Sequence, residues 1–154
     1  GTFSAHPLMT FGAEREGLEW YRAIPFVVDK GVEISKILPG FPNQAFELEP
    51  SQRALYHALF ALAGNSTFML WRKIAAEFQN LELPAQILAP FLHQVVKNAL
   101  GPEAVATGPV ARGDWPAVRT HLDSLQTNPS LAAAYRDFLN QAAFSGTKVP
   151  EALL

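Results

Sequence analysis

His57 and Asn65 are the residues whose types and spacing best suit chemistry on a small carbonyl or hydroxyl compound. They bracket the run YHALFALAGN, eight residues apart. On a helix that spacing is two turns, about 12 Å along the axis, so both side chains stand on one side. An imidazole there can act as proton donor while the amide orients the reacting group. The same pair also reads as a core histidine and an asparagine bonding a neighbouring helix, since buried polar groups are normally paired. Both readings stay open on the residues alone. At about 100° per residue, Arg53, His57, Ala61, Gly64, Asn65 and Arg72 share roughly a third of the helix circumference. Ala61, Ala63 and Gly64 are small enough to admit another helix or a ligand.

Three further places carry groups of interest. His6 precedes Pro7, which holds it out of the α region, and it follows a short β-like run, Thr2–Ala5. Ligands of open α/β sheets gather at such strand ends. Thr107-Gly108-Pro109-Val110-Ala111-Arg112-Gly113-Asp114 is the second dense stretch. Arg112 offers a planar fork for a carboxylate or phosphate, or for the last carbonyls of a helix. The Arg-Gly-Asp tripeptide within it is better explained by Asp114 capping the next helix. Asn98 lies near a helix end ahead of Gly101-Pro102. The four histidines, His6, His57, His93 and His121, show no tight metal-ligand spacing, so no metal is expected. There is no GxGxxG, P-loop or GxSxG run, so no cofactor is expected on this chain itself.

The elements that must position these groups fall into two parts. Residues 1–50 read as strand, short helix, strand: Ile24–Val28 and Ala45–Glu49 are the strands, and Val32–Leu38 is the short helix between them. This is a remnant of α/β structure. Residues 51–154 read as all-helical. Ser51–Asn80 runs about thirty residues without proline, apolar on most sides, and is expected to be a buried central helix with Trp71 among its enclosed residues. Ser51 is its candidate N-cap. Ala85–Leu100 follows, with Pro90 a candidate kink. Glu103–Gly113 reads as a loop. Trp115–Gln126 is capped by Asp114, and Leu131–Phe144 follows a turn at Asn128-Pro129-Ser130. The tail after Gly146 reads as loose.

The 154 residues suit one domain with a real core, and at 49% hydrophobic and 17% charged the chain reads as globular. Twelve basic against fourteen acidic residues, with no basic stripe among aromatics, argue against a nucleic-acid partner. No membrane span or signal peptide is visible, so a cytoplasmic protein is the expectation. The absence of cysteine excludes disulfides and thiol chemistry. A first residue of Gly1 suits a shortened piece of a longer chain as well as a stand-alone domain.

Taken together, Ser4-Ala5-His6-Pro7-Leu8-Met9-Thr10-Phe11, Tyr56-His57-Ala58 leading to Asn65, Asn98 with Gly101-Pro102, and Thr107-Gly108-Pro109 with Ala111-Arg112-Gly113-Asp114 form a recognisable series. The chain, from Ser4 to about Gln141, resembles a C-terminal helical domain of unknown function. That domain follows a Rossmann-like NAD(P)-binding domain in predicted oxidoreductases related to 6-phosphogluconate dehydrogenase, ketopantoate reductase and pyrroline-5-carboxylate reductase. The resemblance implies a mainly α fold, 6-phosphogluconate dehydrogenase C-terminal-like, that dimerises and closes a cleft over the nicotinamide of the preceding domain. In the better-known relatives a lysine is followed four residues later by an asparagine on the equivalent helix. Here Arg53 and His57 take that spacing, and Asn65 lies further on.

The leading expectation is therefore a substrate-binding and homodimerisation domain of an NAD- or NADP-dependent oxidoreductase, inactive without its cofactor-binding domain. His57 and Asn65 would be catalytic; His6, Arg53, Asn98, Thr107 and Arg112 would bind a small-molecule substrate. The alternative is a non-catalytic helical dimerisation module. A third reading is an autonomous binding domain for a small acid.

Overall fold

The computed structural model describes residues 2–102 and 106–154; Gly1 and residues 103–105, the start of the expected Glu103–Gly113 loop, lie outside the described residues. The fold is mainly helical with a small three-stranded sheet. It divides into two compact units, Gly1–Thr67 and Phe68–Leu154.

In the first unit, β1 (Ala5–Pro7), β2 (Phe26–Asp29) and β3 (Ala45–Leu48) form a sheet in that order. β1 runs antiparallel to β2, with His6 opposite Val27. β2 and β3 are parallel, with Val28 opposite Glu47, and the crossover between them carries the short helix α2 (Ile34–Ile37). The β-α-β reading of residues 24–49 therefore holds. The first strand starts later than the Thr2–Ala5 expectation, so His6 sits inside β1 rather than beyond its end. α1 (Leu18–Ala23) ends at Ile24, which is 3% exposed, and Val28 of β2, 1% exposed, is the other enclosed apolar residue among the described residues of this unit. Asn43 is also buried, and its Nδ2 donates to the carbonyls of Tyr21 and Ile24 at 2.7 and 2.8 Å. Those bonds satisfy its N–H groups, while Oδ1 is enclosed without a partner among the described residues.

The run expected as one central helix is three segments: α3 (Arg53–Phe60), a π-helical segment Ala61–Ser66, and α4 (Thr67–Asn80). Ser51 does not cap it. Pro50–Gln52 form a 3-10 turn leading into α3, and no side chain caps the start. Nor is the run enclosed in this chain. None of the three segments has a buried residue, Leu55, Leu62 and Phe68 are each more than 60% exposed, and Trp71 is only half-buried. Apolarity on most sides reports that a face seeks cover, not that the same chain supplies it.

In the second unit the core lies elsewhere. α6 (Pro109–Arg112), α7 (Trp115–Ser124), α8 (Pro129–Phe144) and a 3-10 turn at Glu151–Leu153 enclose Val110, Val118, Leu122, Leu139 and Leu153. Asp114 caps α7 as expected, accepting from the Ala117 N–H. Asn128 does the same for α8 through the Leu131 N–H, so that helix starts at Pro129 within the expected turn. Gly113 closes α6 with φ 70°, a conformation that costs glycine little. The tail is not loose: Leu153 is 2% exposed in the core. α4 is tied to the start of α8 by Lys73 Nζ donating to Ser130 Oγ and Asn128 Nδ2 to Glu77 Oε1, both at 2.6 Å. α5 (Leu88–Leu100) follows a 3-10 turn, Ala85–Ile87. Pro90 is its third residue, in the first turn where no intrahelical N–H bond is lost, so it makes no mid-helix kink. α5 buries no residue at all.

Candidate functional site

Within the first unit, β1 and the α3–π segment bring His6, His57 and Asn65 onto one cavity of about 480 Å³. Leu8, Met9 and Phe60 form apolar wall, while Thr10 adds a hydroxyl. Ala61, Ala63 and Gly64 also line it, so the small residues of the helix leave open space there. That volume lies in the range of small-molecule sites, which are apolar with a few placed polar groups.

The local backbone explains how the helix side of this wall is built. A π turn admits an extra residue into the helix, re-aims the side chains within it, and is frequent at functional sites. Gly64 and Asn65 both sit in this segment. At its end the Thr67 hydroxyl donates to the Leu62 carbonyl at 3.2 Å, which offers a side-chain partner to a backbone acceptor in the distorted ladder.

His6 is held on several sides. Its Nδ1 stands 2.6 Å from the Tyr56 hydroxyl. Its ring meets Tyr56, His57 and Phe60 edge to face, with centroids 5.5, 5.5 and 5.8 Å away. Burial pushes the Tyr56 phenol above its ordinary pKa. Beneath this group, Arg53 pairs with Asp29, and Asp29 also accepts from the Ser4 N–H at 2.8 Å. The Arg53 hydrogen bond, then the Ser4 N–H, hold the Asp29 carboxyl below the usual carboxylate range. Arg53 thus has a protein partner at the base of the site, although its Nε is enclosed without a hydrogen bond among the described residues.

Of the residues expected to act, His6, His57 and Asn65 share the cavity, and Arg53 lines a small adjoining hollow with His6 and His57. Asn98, Thr107 and Arg112 belong to the second unit. Asn98 Oδ1 accepts from Gln94 Nε2 at 2.6 Å on α5. Thr107 and Arg112, before and at the end of α6, are exposed. Two residues of the site escape a reading of single motifs. Tyr56 is next to His57 in sequence, yet its hydroxyl serves His6, fifty positions away. Asp29 ends β2, and only the fold reveals Arg53 as its partner. Among the described residues, no group of three or more His, Cys, Asp or Glu gathers as a metal would need. No helix among them is long and apolar enough to cross a membrane.

The profile of a domain of unknown function, DUF2520, matches residues 32–142. A protein of Bacteroides fragilis, provisionally described as an NADP oxidoreductase, has a similar structure: TM-score 0.70 at 22% identity, covering 88% of this chain and 54% of that one. A protein of Thermotoga maritima, whose name states no activity, is similar with TM-score 0.68 at 22% identity, covering 93% of this chain and 62% of that one. The chain therefore spans little more than half the length of these solved structures. At such identity the likeness is one of fold. No curated protein matches the sequence.

Proposed function

We propose a function on one premise: this chain belongs to the DUF2520 family, a family of unknown function. In this reading it is the substrate-binding and dimerisation domain of an NADP-dependent oxidoreductase, with the dinucleotide held by a Rossmann-like domain outside these 154 residues. The observation that carries it is the cavity lined by His6, His57, Asn65 and the Thr10 hydroxyl on a mainly apolar wall. The description of the Bacteroides fragilis protein as an NADP oxidoreductase supports NADP as the cofactor. His57 serves as the proton donor to a small carbonyl substrate, and Asn65 orients it. A separate proposal concerns the second unit, where Asn98, Thr107 and Arg112 take part in binding a small molecule.

Dimerisation is supported by uncovered apolar surface. On α5, Phe91 is 63% exposed and Val95 43%, four positions apart on the same side of the helix. A stripe of that kind on a soluble chain marks an interaction face. A second copy is the proposed occupant, because α5 can present the same stripe to itself about a two-fold axis. Obligate interfaces of this type commonly exceed about 2,000 Å².

The test of the chemistry is NADPH oxidation by the longer protein that carries this domain, assayed with small 2-oxo acids. His57→Ala is expected to lower turnover on the order of 100-fold, as for loss of a general acid. Undiminished turnover would leave the alternative, a non-catalytic dimerisation module. Light scattering on this chain across a dilution series tests assembly: a dimer mass is expected at micromolar concentration, and Phe91→Glu is expected to yield monomer. A wild-type monomer would overturn the dimer.

A further inference from the structure

We propose that Tyr56 is a positioning residue that fixes His6 in the tautomer protonated at Nε2, giving the cavity a standing N–H donor for a carbonyl or carboxylate oxygen. This rests on the reading of that cavity as the substrate site, and it narrows the substrate to a compound presenting an oxygen acceptor there.

A neutral imidazole donates through one nitrogen and accepts through the other, and its partner decides which. His6 Nδ1 and the Tyr56 oxygen are 2.6 Å apart, so one of them supplies the proton. A phenol is a much stronger acid than a neutral imidazole N–H, so the hydroxyl donates and Nδ1 accepts. Partial burial favours the protonated phenol further. The proton of His6 is then on Nε2, on the far side of the ring from Tyr56, and His6 lines the cavity.

The neighbours support this assignment. A free carboxylate beside His6 would favour an imidazolium instead. Asp29 is the carboxylate of the adjoining small hollow, and it is already engaged by Arg53 and the Ser4 N–H. His57 meets His6 edge to face at 63°, so its ring also bounds the His6 imidazole. The aromatic edges of Tyr56 and Phe60 restrict the ring's rotation. β1 fixes the backbone, where His6 stands opposite Val27. A donor held in place before substrate arrives costs no reorganisation when it binds.

The test is long-range nitrogen-15 NMR of the histidine rings on this chain, above the pH at which they lose their charge. His6 is expected to show a protonated Nε2 and an unprotonated, hydrogen-bonded Nδ1. In Tyr56→Phe, the Nδ1 resonance should move toward that of a free imidazole nitrogen. The ratio of Nε2–H to Nδ1–H forms should fall about fivefold, the equivalent of one net hydrogen bond. A wild-type His6 protonated at Nδ1 overturns the proposal, as does an unchanged ratio in folded Tyr56→Phe. If the variant does not fold, the wild-type spectrum decides alone. Neither measurement involves NADPH or turnover, so this result and the His57→Ala assay can fail independently.

Discussion

His121 Nδ1 lies 2.9 Å from the Tyr135 hydroxyl in the second unit, and His6 Nδ1 lies 2.6 Å from that of Tyr56 in the first. Both pairs meet edge to face, and burial lifts both phenols above their ordinary pKa. By chemistry alone they are the same motif. Their surroundings differ. Tyr135 packs against the core of α7 and α8, and on its other side helps line an apolar hollow of about 310 Å³ with Leu70, Ile74 and Phe138. Its histidine is exposed and is not among the residues around that hollow. His6 has a second imidazole, an amide and a hydroxyl around the cavity it shares. A perturbed tyrosine beside a histidine is therefore a poor sign of a site by itself. The sign is what else opens onto the same space.

The sharpest way to break this comparison is to remove the packing under the second pair. Leu139 is fully enclosed there, and Leu139→Ala is expected to cost about 2–5 kcal/mol. Denaturant unfolding measures it, and a loss below about 1 kcal/mol would mean that no packed core supports Tyr135. A smaller effect separates the two hydroxyls. Tyr56→Phe should cost about 1 kcal/mol, since its bond is partly shielded, and Tyr135→Phe less than that, since its partner is exposed. The reverse order would place the better-formed pair in the second unit.

The smallest effect concerns the ion pair beneath His6. Asp29 has a folded pKa below its unfolded value, so its contribution is present above the unfolded carboxylate pKa and is lost as pH falls through the folded one. Arg53→Ala removes the largest cause of the shift. Carboxyl titration by NMR should show the Asp29 midpoint rising toward the ordinary carboxylate range in that variant. An unmoved midpoint would remove Arg53 from the support of the site.

How much of this was legible beforehand depends on the range of the interaction. Asp114 as a cap, the β-α-β order around Ile34–Ile37, and the shared face of His57, Ala61, Gly64 and Asn65 are all local, set by residues a few positions apart. The failures are of two other kinds. The cover of the helical run is not legible because apolar periodicity does not say which surface answers it, and here Leu55, Leu62 and Phe68 stay exposed in the single chain. Leu153 is hidden in the sequence because a short tail gives no periodic signal, although its side chain completes the core. The partnership of Tyr56 with His6, and that of Arg53 with Asp29, requires the sheet to exist first.

The π segment at Ala61–Ser66 also bears on how this site can change over generations. Its geometry accommodates one residue beyond an ordinary helical turn. Loss of a single codon between His57 and Asn65 would let the segment relax to regular helix, so the frame could absorb the deletion without breaking. The relative bearing of the two side chains would nevertheless alter, by less than the roughly 100° that one position makes in a regular helix, because the relaxed turn takes up part of the step. Length variation of one residue is thus a heritable dial on the site's geometry, and it leaves the imidazole and the amide themselves untouched.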